Sequence, residues 1–329
     1  MRALARHLPR LAARVPWVEL GQWPTPLAPL RVAGRLVWVK HEGNSHPVYG
    51  GNKVRTLETW FGHARDRGAR GIWALGAAGS NHAIATAIHA PRAGLEPAAL
   101  VFPQPASPWA SENCEALVAS GVPLVRVRSV VELPFAAWMI ARRERDAVVM
   151  PPGGATPIGT FGAMSAVFEL AEQLDAGLAP APARIVLAMG STCTTAGLLA
   201  GLALTHAVGV WRWPLPVVHG VRVTPWPVTS HLRIAELAYR TLARVAALGG
   251  PAVAIGVPEL ARRLVVDGRE LGPGYGRPTA RGDLAIATLR GPRLDGVYSA
   301  KAAAALLRLH REGVAPLLFW ATKSTAELR

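Results

Sequence analysis

The chain has 329 residues, half of them hydrophobic and 17% charged, which excludes an intrinsically disordered chain and a charged coiled coil and leaves one large packed domain or two ordinary ones. The formal charge of +15 is spread over scattered arginines, with no basic run of five or six and no aromatic-interleaved motif, so no specific nucleic-acid partner is expected. Two cysteines, Cys114 and Cys193, are too few for a disulfide framework or a cysteine zinc cage, and a reducing cytoplasm is the expected compartment.

The basic start of the chain is interrupted by Pro9 and Pro16 and lacks the apolar core of a signal peptide. Beyond it, short apolar runs alternate with Ala/Leu/Arg stretches. The pattern predicts strands over 36–40, 71–75, 98–102, 122–127, 147–150, 184–188 and 217–223. Between and after them it predicts helices over 53–66, 81–93, 111–120, 133–145, 160–174, 196–207 and 228–247. The uncharged stretch 185–205 is long enough for a membrane span, but the polar Ser191-Thr192-Cys193-Thr194-Thr195 at its middle makes it strand, loop and helix, so no membrane partner is expected. Such a βαβα rhythm implies an α/β fold with mostly parallel sheets covered by helices, whose ligands sit beyond the carboxyl ends of the strands.

Of the 36 Lys and Arg residues only Lys40, Lys53, Lys301 and Lys323 are lysines, so a lysine in an unusual setting points to chemistry that needs an amine. Lys53 follows a loop rich in Gly, Asn, Ser and Pro and opens a helix, where the dipole lowers the affinity of its amine for a proton. The alternative is a surface lysine after a tight turn. His41, Glu42 and His46 lack the spacing of a helical zinc site, and no metal is expected. The segment Gly76 to His82 again runs from strand to helix, and Ser80 and Asn81 present either an anion site at the helix start or an ordinary cap with His82 beside it. Gly190, Ser191, Thr192, Cys193, Thr194 and Thr195 offer hydroxyls and helix-terminal amides to a phosphate, without the ending of a P-loop. Tyr275 and Tyr298 stand in loop-like contexts, as proton carriers or as packed aromatics.

Taken in order, GGNKVR, GSNHA, PPGGATPIGTFG, GSTCTTAG, GYGRPT and DGVYSAKA resemble the D-cysteine desulfhydrase and 1-aminocyclopropane-1-carboxylate deaminase family of pyridoxal phosphate enzymes, which has the tryptophan synthase β-like fold. The resemblance covers roughly residues 20 to 322. It implies that Lys53 forms the Schiff base with pyridoxal 5'-phosphate and that Ser80, Asn81 and His82 meet a small amino-acid substrate. It further implies that Asn52, Asn81, the 190–195 loop and Thr322 hold the cofactor, and that Tyr275 and Tyr298 join Lys53 and Ser80 in catalysis. A larger domain of 1–55 and 166–329, a smaller inserted domain of 56–165 and a homodimer are implied as well.

The chain departs from the family in three places. Thr192-Cys193 replaces glycine in the phosphate loop. The usual Phe-x-His-Thr-Gly-Gly reads Phe319-Trp320-Ala321-Thr322-Lys323-Ser324. Ser299 stands where the deaminase branch has a glutamate beside the pyridine nitrogen, which leaves Ser299 or Thr322 as that nitrogen's partner. The expected reaction is therefore β-elimination from D-cysteine to pyruvate, sulfide and ammonia, with 1-aminocyclopropane-1-carboxylate deamination or a non-catalytic cofactor-binding relative as alternatives.

Overall fold

A computed structural model describes residues 2–328. Strands β1 (Leu27–Val32) and β2 (Arg35–His41) form an antiparallel hairpin. Next in the chain, β3 (Gly71–Ala77), β4 (Glu96–Phe102), β5 (Leu124–Arg126) and β6 (Ala147–Met150) make a parallel sheet of order β5-β4-β3-β6. Then β7 (Arg184–Met189), β8 (Val217–Arg222), β9 (Leu264–Asp267) and β10 (Leu317–Ala321) join the hairpin in a six-stranded sheet, β1-β2-β10-β7-β8-β9, parallel except for β1. The fold is α/β, with both sheets flanked by helices.

Parallel strands covered on both faces need apolar side chains on both, and β10, Leu-Leu-Phe-Trp-Ala, is buried at every position. On one face of the large sheet lie the helices Pro157–Asp175, Cys193–Ala207 and His231–Ala247, packed around Phe161, Phe168, Leu198 and Trp211. The other face is covered by Ala280–Thr288 and Ser299–Arg311. Cys193–Ala207 is apolar all round and buried along nearly its whole length, whereas His231–Ala247 and Ser299–Arg311 bury one side. No helix among the described residues is long and apolar enough to cross a membrane, and the 185–205 stretch is β7, a turn and a helix.

Several boundaries move from their expected places. The helix expected over 196–207 starts at Cys193, so the phosphate-loop candidate is half turn and half first helical turn. The helices expected from 111 and 160 start at Pro108 and Pro157, each behind a capping hydroxyl, Ser107 or Thr156. Proline at the first helical position removes an amide that has no partner there, so these prolines open helices instead of extending loops. Sequence periodicity also passed over β1, β9, β10 and the helices after residue 256.

Candidate active site

The carboxyl ends of β2, β10, β7 and β8 lie on one edge of the large sheet because these strands run parallel. The loops that leave them, together with the turn after β3, surround a cavity of about 420 Å³. Lys53 reaches it from the start of the helix Asn52–Asp66. Gly51, in front of that helix, has a φ of 99°, and a Cβ there would stand 2.7 Å from the carbonyl oxygen of Thr322. The chain end clamps this turn: the Asn52 amide donates to the Thr322 carbonyl (3.2 Å) and the Gly50 amide to Ser324 Oγ (3.0 Å).

Below the turn, Arg55 is buried in an ionic cluster. It donates to Glu42 Oε2 (2.6 Å) and Glu169 Oε1 (2.9 Å), Lys40 pairs with the same Glu169, and the guanidinium lies 3.7 Å from the Trp23 ring. The helix start that carries Lys53 is thereby tied to β2 and to the helix Pro157–Asp175. Among the described residues Lys53 Nζ makes one hydrogen bond, a long one to Ser191 Oγ (3.4 Å). Crowding by the protein pushes its amine below the ordinary lysine value, toward the neutral form that attacks a carbonyl.

Opposite Lys53, the turn after β7 supplies Gly190, Ser191, Thr192, Thr194 and Thr195 to the wall. Thr192 adopts a left-handed conformation (φ 75°) and gives the following helix no side-chain cap, so the first-turn amides are left to a ligand. Its own hydroxyl is buried without a partner. Asn52 Nδ2 donates to Thr194 Oγ1 (2.7 Å), joining this wall to the Lys53 turn. At Gly190 a Cβ would stand 3.1 Å from the Tyr298 ring, a tight contact that the glycine avoids.

The third wall is the start of the helix Asn81–His89. Ser80 is its cap, accepting from the amides of His82 (3.1 Å) and Ala83 (3.4 Å), and it also lines the cavity. Asn81 Oδ1 collects three donors, Tyr49 Oη (2.8 Å), Asn113 Nδ2 (3.0 Å) and Lys323 Nζ (3.2 Å), which leaves Nδ2 for a ligand. His82 lies against the cavity with neither ring nitrogen hydrogen-bonded, and burial together with Lys53 holds it well below the ordinary histidine value. Tyr275 and Tyr298 complete the enclosure with their hydroxyls 2.5 Å apart. Burial raises both phenols, Tyr275 to about 12 and Tyr298 well above the ordinary tyrosine value, so both remain protonated donors at neutral pH.

All the candidate site residues except Cys193 and Ser299 meet at this cavity. The Sγ of Cys193 turns to the Gly154 carbonyl (3.5 Å) and Thr56 Oγ1 (3.8 Å), because the first helical residue points its side chain into the packing with the helix Asn52–Asp66. Ser299 is also absent from the wall. Its hydroxyl donates to Asp295 Oδ2 (2.8 Å) and accepts from the Asp295 amide (2.6 Å), closing the turn that leads into its own helix, while Thr322 does line the cavity. Asp295, Lys323, Val130 and Trp226 line it without having been singled out. Asp295 had a visible signal, a carboxylate four residues ahead of a helix-opening serine; Val130 and Trp226 had none. Among the described residues no group of three or more His, Cys, Asp or Glu could hold a metal ion, and Glu42 and His46 are engaged with Arg55 and Arg92.

A pyridoxal phosphate molecule suits this donor set: a half-buried amine of lowered proton affinity, an uncapped helix start with an orphaned Thr192 hydroxyl, and a Gly190 backbone open to close approach. Residues 18–316 match the family model described as pyridoxal-phosphate-dependent enzyme, and the chain belongs to that family. It is 37% identical to the nocardicin C-9' epimerase of Nocardia uniformis subsp. tsuyamanensis, over 95% of this chain and 94% of that protein. It is 30% identical to the D-cysteine desulfhydrase of Klebsiella pneumoniae subsp. pneumoniae, over 93% of each. The crystal structure of an ACC deaminase homologue superimposes with a TM-score of 0.77 at 29% identity, over 99% of this chain and 95% of that one. The protein is thus a pyridoxal-phosphate-dependent enzyme of the deaminase and desulfhydrase group, with the tryptophan synthase β-like fold.

Proposed function

We propose that the enzyme removes the α-proton of a small amino acid and eliminates its β-substituent, with D-cysteine giving pyruvate, sulfide and ammonia. The observation that carries this reading is geometric: the Lys53 amine, with one long hydrogen bond, and the Tyr275–Tyr298 hydroxyl pair line one cavity, where burial lowers the amine and raises the phenols. Groups pushed apart in this way take opposite roles, base and acid. Pyridoxal phosphate, when bound, withdraws electrons from the amino acid's Cα and so acidifies its proton. In this reading Lys53 would hold the cofactor, and its free amine, of lowered proton affinity, is the group placed to take that proton. The Ser80 to Ala83 helix start and Asn81 Nδ2 orient the substrate carboxylate, while Tyr298, backed by Tyr275, gives a proton to the departing sulfur. Water then converts the remaining unsaturated amine to pyruvate and ammonia. Asn52, Gly190, Ser191, Thr192, Thr194 and Thr195 would hold the cofactor, with Thr322 as a further hydroxyl partner, and 56–165 acts as the smaller domain of a cytoplasmic homodimer.

Inversion at Cα is the second reading. It is favoured by the 37% identity to an epimerase and by an apolar mouth, Val130 (55% exposed) and Trp226 (72% exposed), that suits a larger side chain. A panel of D-cysteine, L-cysteine, 1-aminocyclopropane-1-carboxylate and an arylglycine, run in deuterated water, separates the readings. Pyruvate from D-cysteine well above that from L-cysteine supports elimination. Deuterium at Cα of the arylglycine without pyruvate from D-cysteine replaces elimination with inversion, and 2-oxobutanoate from the cyclopropane amino acid alone replaces both with deamination.

A further inference from the structure

Lys323 stands where the chain departs from its family's carboxyl-terminal motif, and it is 4% exposed on the wall of the cavity. Its ammonium makes one hydrogen bond, to the neutral Asn81 Oδ1 at 3.2 Å, and among the described residues no carboxylate lies within ion-pair distance. The nearby acids are engaged elsewhere. Glu112 accepts from Arg293 Nη2 (2.9 Å) and from the Leu328 amide, and Asp295 accepts from the amides of Val297 and Tyr298 and from the Ser299 hydroxyl. An ammonium has three donors, and a buried one left without an anion is strongly unfavourable. Lys323 lines the same cavity as Ser80 and the start of the helix Asn81–His89.

We propose that Lys323 is a specificity-determining residue whose ammonium pairs with a carboxylate of the amino-acid substrate. The inference rests on the reading above that the cavity takes an amino acid, but not on which reaction follows. It assigns to this chain a cationic partner for the substrate anion, added to the neutral donors of the helix start.

The test is equilibrium binding to the holoenzyme, followed by the cofactor's absorption, with three probes, two of them amino acids that have no α-proton. These are 2-aminoisobutyrate, 2-methylaspartate with its second carboxylate, and isopropylamine with none. In Lys323→Met the Kd of 2-aminoisobutyrate should rise by about tenfold or more, the size of a lost hydrogen bond to a charged group, while that of isopropylamine stays constant. Lys323→Arg should recover part of the loss, and Lys323→Gln serves if the methionine variant does not fold. Weakening of both amino acids assigns the ammonium to the α-carboxylate; weakening of 2-methylaspartate alone assigns it to a distal one. Equal changes for all three probes, or none, overturn the proposal, as does an altered cofactor spectrum and cofactor affinity with carboxylate selectivity intact. Because binding is read without turnover, inactivity toward D-cysteine would remove the elimination reading and leave this result standing.

Discussion

Lys40 and Lys53 lie on opposite sides of the turn that follows β2, and their surroundings differ in what they leave unsatisfied. Lys40 is fully buried, and its ammonium meets Glu169, the Thr25 carbonyl (2.6 Å) and Gln173 Oε1 (2.8 Å), so all three of its donors are used. Among the described residues Lys53 Nζ makes a single hydrogen bond, at 3.4 Å, and Lys53 faces a cavity. Burial penalises the charged form of both. In the first case two neutral acceptors and a carboxylate offset part of a penalty that still lowers the amine; in the second one long hydrogen bond to a neutral hydroxyl does little, and the amine is left free to react. A buried lysine is therefore informative through its partners rather than its depth, and by that measure Lys323, with one neutral partner and no anion, is open to a ligand.

The largest effect should separate the two in function. Lys53→Met should lower turnover by about a thousandfold or more, since a proton-transfer group is lost together with the cofactor's anchor. The melting temperature of the cofactor-free variant should hold or rise, because a poorly solvated amine is gone. Borohydride reduction and peptide mapping of the wild type should label Lys53; label on Lys40, Lys301 or Lys323 would break the distinction.

Stability should respond on the other side. Glu169→Gln leaves Lys40 and part of Arg55 without their shared anion and should cost about 3 to 5 kcal/mol in urea unfolding at neutral pH. Burial alone would raise the Glu169 carboxyl, but the fields of Arg55 and Lys40 override it and lower it to about 2 from 4.5. A carboxyl depressed in the folded state stabilises above its unfolded value, and that stabilisation is lost as the pH falls. The wild type should therefore lose about 3 kcal/mol between pH 4.5 and 2 that the glutamine variant does not. Parallel curves for the two proteins would show that the cluster is not held by this charge.

A smaller effect tests the wall that faces Lys53. Thr194→Val keeps the shape and removes the hydroxyl that accepts from Asn52, which should weaken cofactor binding by about 0.5 to 1.5 kcal/mol, more if the hydroxyl also meets the phosphate. Cofactor affinity measured by dialysis and absorption that is unchanged, in this variant and in a Ser191/Thr195 double substitution, would move the phosphate away from this turn.

Most of what brings chemistry to the cavity was visible along the chain because it is local. A glycine turn before Lys53, a serine before the helix at Asn81 and a run of hydroxyls after β7 each depend on a few neighbouring residues, whose conformations follow from caps, turns and short apolar runs. The same locality explains the boundary shifts at Pro108, Pro157 and Cys193, where a proline or hydroxyl that reads as loop belongs to the first helical turn. β10 was missed although it is central to the large sheet, since five apolar residues carry no period and only its neighbours β2 and β7 make it a strand.

The alternation of strands and helices between residues 36 and 247, the α/β class and the candidate lysine follow from the chain alone, since periodicity and the scarcity of lysine are properties of sequence. Which hydroxyls face the cavity does not. Ser299 and Thr322 are equivalent on paper, yet Ser299 is taken by Asp295 four residues before it and Thr322 is carried to the wall by β10. Likewise nothing in the text around Lys40, Lys53 and Lys323 says which amine is saturated. That depends on Glu169, Ser191 and Asn81, residues 129, 138 and 242 positions away, brought within reach only when the sheets close and water is expelled.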